Sequence, residues 1–144
     1  MKKYVIGFMF NETLSRLVAI RKNRPEWQAG SLNGVGGHIE ENELPIDAMV
    51  REFFEETGVK TPCDAWNRVL TLRFPYAEIE VFAAKSDVFE NAARTCTDEE
   101  IVHVVFSSRT YYKMVENVPM LVALSKQRLT DREGVAPTDQ TSGP

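Results

Sequence analysis

The sequence predicts an α/β (α+β) domain, a sheet packed against helices. Five short segments rich in Val, Ile and aromatic residues are bounded by turn residues, as strands are. Two longer segments carry helix start and stop signals, and one of them has an apolar arc that must pack on a sheet.

Taken in order, Lys3 to Phe10 and Leu17 to Arg21 read as a hairpin joined by the turn Asn11 to Ser15. Lys22 to Gly37 holds Pro25, Asn33 and four glycines, which predicts a long loop, and loops of that length in compact domains are often functional. Leu44 to Thr57 predicts a helix, with Pro45 in its first turn and Gly58 just past its end. Arg68 to Phe74, Glu78 to Ala84 and Ile101 to Phe106 predict three more strands. Val118 to Leu129 predicts a second helix, since Asn117 can cap it and Pro119 falls where proline is tolerated. A domain over residues 1–129 follows. Residues 130–144, mostly Gly, Pro, Ser, Thr and Asp, predict a disordered tail.

The chain of 144 residues, 43% hydrophobic and 26% charged, has the balance of a soluble globular protein with one core. No apolar run reaches the length of a membrane span. Met1-Lys2-Lys3 and the apolar run after it mimic a signal peptide, but the run stops at Asn11-Glu12 without a small-residue cleavage site. The expectation is a cytoplasmic protein whose two cysteines, Cys63 and Cys96, are free thiols. A net charge of −4 argues against a general nucleic-acid binder. The charge is unevenly spread: residues 37–59 hold seven acids and one arginine, while residues 16–24 hold Arg16, Arg21, Lys22 and Arg24 and no acid. A cation-holding cluster beside an anion-holding one suits a metal-complexed phosphate, although scattered solvated charge gives the same count.

On the first helix, Ile46, Met49, Val50, Phe53 and Phe54 form the apolar arc, and Glu52, Glu55 and Glu56 form a separate one. Arg51 lies one turn from Glu55. Three neighbouring carboxylates repel, by a few tenths of a kcal/mol (~0.2–0.5) per pair in water. A hard divalent cation such as Mg2+ offsets that repulsion through oxygen ligands and keeps other positions for water and phosphate. An isolated Glu-x-x-Glu-Glu is usually just a solvated face.

The pattern here extends further. Gly37, Glu43 and the run Arg51-Glu52-Phe53-Phe54-Glu55-Glu56-Thr57-Gly58-Val59 match every fixed position of G-x5-E-x7-R-E-U-x-E-E-x-G-U, where U is a bulky apolar residue. The chain thus resembles the Nudix hydrolases, over 23 residues in the motif and from about Lys3 to Leu129 in element order. The resemblance implies an alpha/beta/alpha sandwich with a mixed central sheet. It also implies a divalent-metal-dependent pyrophosphohydrolase acting on a nucleoside diphosphate linked to another group, with Mg2+ as cofactor and Mn2+ able to substitute. Carried over residue by residue, Glu52, Glu55 and Glu56 are metal ligands, helped by the Gly36 carbonyl, and Arg51 orients a glutamate. Gly37 and Gly58 give backbone freedom at the helix ends, and Glu43 steadies the loop. The base is Glu52, or an acid among Asp98, Glu99 and Glu100, with Glu99 also a candidate ligand. His38 and His103 are weaker candidates, one at a variable position and the other mid-strand.

The partner is a small molecule. Leu32-Asn33-Gly34-Val35-Gly36-Gly37 is similar to the matching stretch of the hydrolases of oxidised purine nucleoside triphosphates, apart from Leu32, where those carry tryptophan. Asn33 can read a base edge or simply make a turn. Trp27 can stack on a base or anchor the loop. Arg21, Lys22 and Arg24 are phosphate-contact candidates or an exposed strand end, and Phe74 and Tyr76 flank Pro75 near the pocket. The competing reading is a Nudix-fold sensor that binds a nucleotide or metabolite without cleaving it. Isoprenoid-diphosphate isomerase chemistry on the same fold is more remote.

Overall fold

The computed structural model describes residues 1–134. Seven strands form one sheet: β1 (Lys2–Phe10), β2 (Arg16–Arg21), β3 (Leu32–Asn33), β4 (Val35–His38), β5 (Asn67–Phe74), β6 (Ala77–Lys85) and β7 (Ile101–Val105). The helices are α1 (Pro45–Thr57), α2 (Asp87–Ala92) and α3 (Val118–Gly134), with short 3-10 turns at Glu26–Gln28 and Cys63–Ala65. The strand order is β3-β2-β1-β6-β5, with β4 added on β1 and β7 on β2. β1 runs parallel to β6 and antiparallel to β2 and β4, so the sheet is mixed.

Alternation along the strands makes the sheet two-faced, because successive side chains point to opposite sides. Val5 and Met9 of β1, Val18 and Ile20 of β2, and Phe82 and Ala84 of β6 join Met49 and Phe53 of α1 in one core. The residues between them, Phe8, Phe10, Leu17, Ala19, Val81 and Ala83, join Val118, Leu121 and Val122 of α3 in the other. The result is the expected α/β/α sandwich.

The fold departs from expectation at three points and adds one element. The segment Lys22 to Gly37 is not one loop: it contains a 3-10 turn, β3 and β4, because Gly36 and Gly37 pair with Ile6 and Val5 of β1. Phe54 is not part of the buried face of α1 but is 51% exposed. The helix is rolled so that Ala48, Met49, Phe53 and Thr57 are buried and the flank carrying Glu52 and Glu56 is partly covered, which turns Phe54 outward. α2, capped by the Ser86 hydroxyl accepting from the Phe89 N–H at 3.1 Å, is too short for hydrophobic periodicity to reveal. Finally, α3 runs to Gly134, so the expected tail from residue 130 is helical over 130–134; residues 135–144 lie outside the described residues. Among the described residues no helix is long and apolar enough to cross a membrane, and Cys63 and Cys96 are free.

Candidate active site

α1 begins on Pro45, whose missing N–H costs nothing in a first turn. It ends on Gly58, at φ 76°, in the left-handed region that a side chain would strain. Gly37 serves differently from the expected backbone freedom. It lies within β4, and a Cβ there would sit 2.6 Å from the Glu52 carboxylate carbon. Its bare backbone makes room for that carboxylate.

Arg51 organises the acids around it. Its Nε and Nη2 donate to the two oxygens of Glu43 at 2.8 and 2.9 Å, and Nη2 also donates to the His38 carbonyl at 2.9 Å. Nη1 donates to Glu52 Oε2 at 2.9 Å and reaches Glu55 at 3.4 Å. The Arg51 hydrogen bond holds the Glu43 carboxyl below the usual carboxylate range. Glu52 moves the other way, because burial disfavours its charge more than Arg51 restores it. Glu56 is raised as well, by burial first and then by repulsion from Glu52 and Glu99, against the hydrogen bond from Thr97. Glu55, at 52% side-chain exposure, is the most solvated of the three α1 glutamates.

The acids just before β7 pair one for one with the basic stretch at the end of β2. Asp98 binds Arg24 at 2.6 Å, Glu99 binds Lys22 at 3.2 Å, and Glu100 binds Arg21 at 3.1 Å. Only Glu99 of these three acids is buried, where it also accepts the Asn23 N–H at 2.6 Å and faces Glu56 electrostatically. His103 is turned away from this cluster, bonded through Nδ1 to buried Glu90 at 2.7 Å and through Nε2 to the Ala93 carbonyl at 2.9 Å.

Beside the acids lies a cavity of about 780 Å³, lined by Lys22, Arg24, Trp27, Asn33, Gly36 and Gly37 of the expected set. Arg21 does not line it, being held by Glu100 and the Gly30 carbonyl. Phe74 does, whereas Tyr76 lies at the β5–β6 hairpin, 86% exposed. Sequence reasoning missed Tyr4, whose ring meets that of His38 at a tilt of 41° with centroids 4.5 Å apart, because only the β1–β4 register brings the two together.

Among the described residues, no group of three or more His, Cys, Asp or Glu side chains is disposed to hold a metal ion. The reason is visible in the pairings: Glu52 and Glu55 turn to Arg51, Glu56 to Thr97 and Glu99 to Lys22. The donor chemistry nevertheless fits a hard cation. Glu56 lies close enough to Glu52 and Glu99 for both to repel its charge, all three are oxygen donors, and burial raises both Glu52 and Glu56.

The NUDIX domain profile matches residues 2–120. The chain belongs to the Nudix family. It is a hydrolase acting on phosphoanhydride bonds. No curated protein matches the sequence. Among solved structures, the Nudix chain is similar to a MutT of Aliivibrio salmonicida or Vibrio cholerae (22% identity, 88% of this chain and 98% of that one, TM-score 0.71). It is similar also to the NUDIX domain of Shewanella oneidensis NrtR complexed with ADP ribose (15%, 89% and 88%, TM-score 0.73). A third is the MutT NUDIX hydrolase of Burkholderia pseudomallei (15%, 85% and 96%, TM-score 0.68). At these identities the likeness concerns the fold.

Proposed function

We propose that this Nudix chain is a Mg2+-dependent pyrophosphohydrolase of a nucleoside triphosphate, with an oxidised purine nucleotide as the first candidate, releasing the monophosphate and pyrophosphate. The observation that carries it is the pairing of two half-buried, mutually repelling glutamates, Glu52 and Glu56, with an adjoining cavity that holds Asn33 and Trp27. The ADP ribose bound by the NrtR domain supports a nucleotide derivative as the ligand class.

Glu52, Glu55, Glu56 and Glu99, with the Gly36 carbonyl, would hold the cation, Mn2+ serving in place of Mg2+. A bound cation would offset the phosphate charge and acidify water. Glu52 and Glu56 would each offer it the carboxylate oxygen that Arg51 or Thr97 leaves free, with Arg51 anchored on Glu43. Glu52 also has the features of a base, since burial raises its proton affinity and its Oε1 lies opposite the oxygen engaged by Arg51. Trp27, 71% exposed, offers an indole face to a base rather than an anchor to the core. Asn33 spends its Oδ1 on the Gly34 N–H at 2.7 Å, so its amide nitrogen is the group left to read a base edge. Lys22 and Arg24 reach the phosphates only by giving up Glu99 and Asp98. A cytoplasmic location belongs to the same reading, supported by the free thiols.

The test is incubation with Mg2+ and a panel of canonical and oxidised nucleoside triphosphates, sugar nucleotides, dinucleoside polyphosphates and capped RNA, with products identified by mass spectrometry. Monophosphate and pyrophosphate from a triphosphate support the proposal; cleavage confined to another class of the panel refutes the substrate.

A further inference from the structure

Thr97 stands outside the motif and outside the cavity, yet its hydroxyl touches both acidic segments. Glu99 donates its N–H to Thr97 Oγ1 at 3.2 Å, which occupies the hydroxyl as an acceptor. Its one hydrogen then has two possible acceptors, the Glu56 carboxylate at 3.1 Å and the Glu99 carbonyl at 3.5 Å. The shorter contact to the charged group is the stronger bond. Thr97 therefore donates to Glu56 Oε1, while Oε2 takes no hydrogen bond among the described residues. The loop that presents Thr97 is itself fastened, since Glu99 is tied to Lys22 and to the Asn23 N–H at the end of β2.

We infer that Thr97 is a positioning residue, orienting the Glu56 carboxylate for a divalent cation by hydrogen-bonding one of its oxygens. The inference rests on the reading of Glu56 as a metal ligand. Ligands of bound metals are generally oriented by such outer partners, and losing one costs about 10- to 100-fold in metal affinity. Because Thr97 itself is exposed, its hydroxyl contributes little to folding, which separates the positioning role from a structural one.

Binding of Mn2+ alone to the metal-free full chain, followed by electron paramagnetic resonance or calorimetry, tests this without turnover. Thr97→Val is expected to bind Mn2+ about tenfold more weakly. Its metal-free melting temperature is expected to stay within about 2 °C of the wild type. Thr97→Ser, which keeps the hydroxyl, is expected to restore affinity. Wild-type affinity in Thr97→Val overturns the inference, as does a Thr97→Ser variant as weak as Thr97→Val. A fall in affinity matched by a large fall in metal-free melting temperature also overturns it. Glu56→Gln serves as the reference: if it binds Mn2+ like the wild type, the underlying reading of Glu56 has failed rather than the contribution of Thr97 alone.

Discussion

Arg51 grips Glu43 with two parallel hydrogen bonds of 2.8 and 2.9 Å, and from that fixed base extends its third nitrogen to Glu52. The fork of a guanidinium matches a carboxylate in a way an ammonium cannot. Arg51→Lys should therefore keep the charge but lose the alignment of Glu52, lowering kcat about 100-fold, as misplacement by an ångström can, with a smaller change in KM. A loss of kcat that disappears once rates are normalised to the folded fraction would point instead to a general folding defect.

The same pair predicts an acid dependence of stability. The Glu43 carboxyl is lowered in the folded chain, so its contribution is fully present above its unfolded value and is lost as pH falls through the folded one. Glu43→Gln should cost about 1–3 kcal/mol at pH 7, the range for hydrogen bonds to charged groups, and progressively less as pH falls below the ordinary glutamate range. Denaturant unfolding of both proteins between pH 7 and pH 4 measures the difference.

Glu56 has the opposite sign. Its folded carboxyl is raised, so the charged form is disfavoured by folding, and stability is gained as pH falls through the raised value. Metal-free Glu56→Gln should be at least as stable as the wild type at pH 7, by a few tenths of a kcal/mol (~0.2–0.5, the size of a like-charge contact). The gap should close in acid. Millimolar Mg2+ should raise the melting temperature of the wild type but not of the variant.

Trp27 gives a test of the cavity. Its exposure predicts that Trp27→Ala changes stability by less than about 0.5 kcal/mol while raising KM for a nucleotide about tenfold, the value of one base–aromatic stack. A destabilised variant with normal KM would instead make Trp27 a loop anchor.

Glu90 is a carboxylate 3% exposed, held by His103 at 2.7 Å and by Arg16 at 3.3 Å. Neither lies in the site. Glu90→Ala should cost about 3 kcal/mol, the low end for breaking a buried pair because Arg16 is partly exposed. Urea unfolding measures the loss, and kcat of the folded fraction should remain that of the wild type.

What the sequence disclosed and what it hid have a common physical origin. Fixed spacing on one helix is a local property, so Glu52, Glu55, Glu56 and the Met49–Phe53 face were legible from Leu44 to Val59 alone. The pairing of Arg21, Lys22 and Arg24 with Glu100, Glu99 and Asp98 spans 74 to 79 positions, and the Tyr4–His38 ring contact depends on strand register. Neither leaves a mark in local composition. β4 was hidden because its glycines, read as loop formers, are there for close approach: Gly37 admits the Glu52 carboxylate and Gly36 the Val5 backbone. Thr97 carried no signal at all, since a threonine in a polar connection is ordinary until the chain folds.

The central claim is that the glutamates of α1 serve metal-dependent cleavage of a phosphoanhydride. Release of pyrophosphate from a nucleoside triphosphate by the wild type and by Glu56→Gln, each with Mg2+ and with a chelator, tests it most directly. Mg2+-dependent release by the wild type and a loss of at least about 100-fold in the variant, the scale of removing one electrostatic catalytic group, are the expected results. Wild-type release by a folded Glu56→Gln, or release undiminished by the chelator, would contradict it.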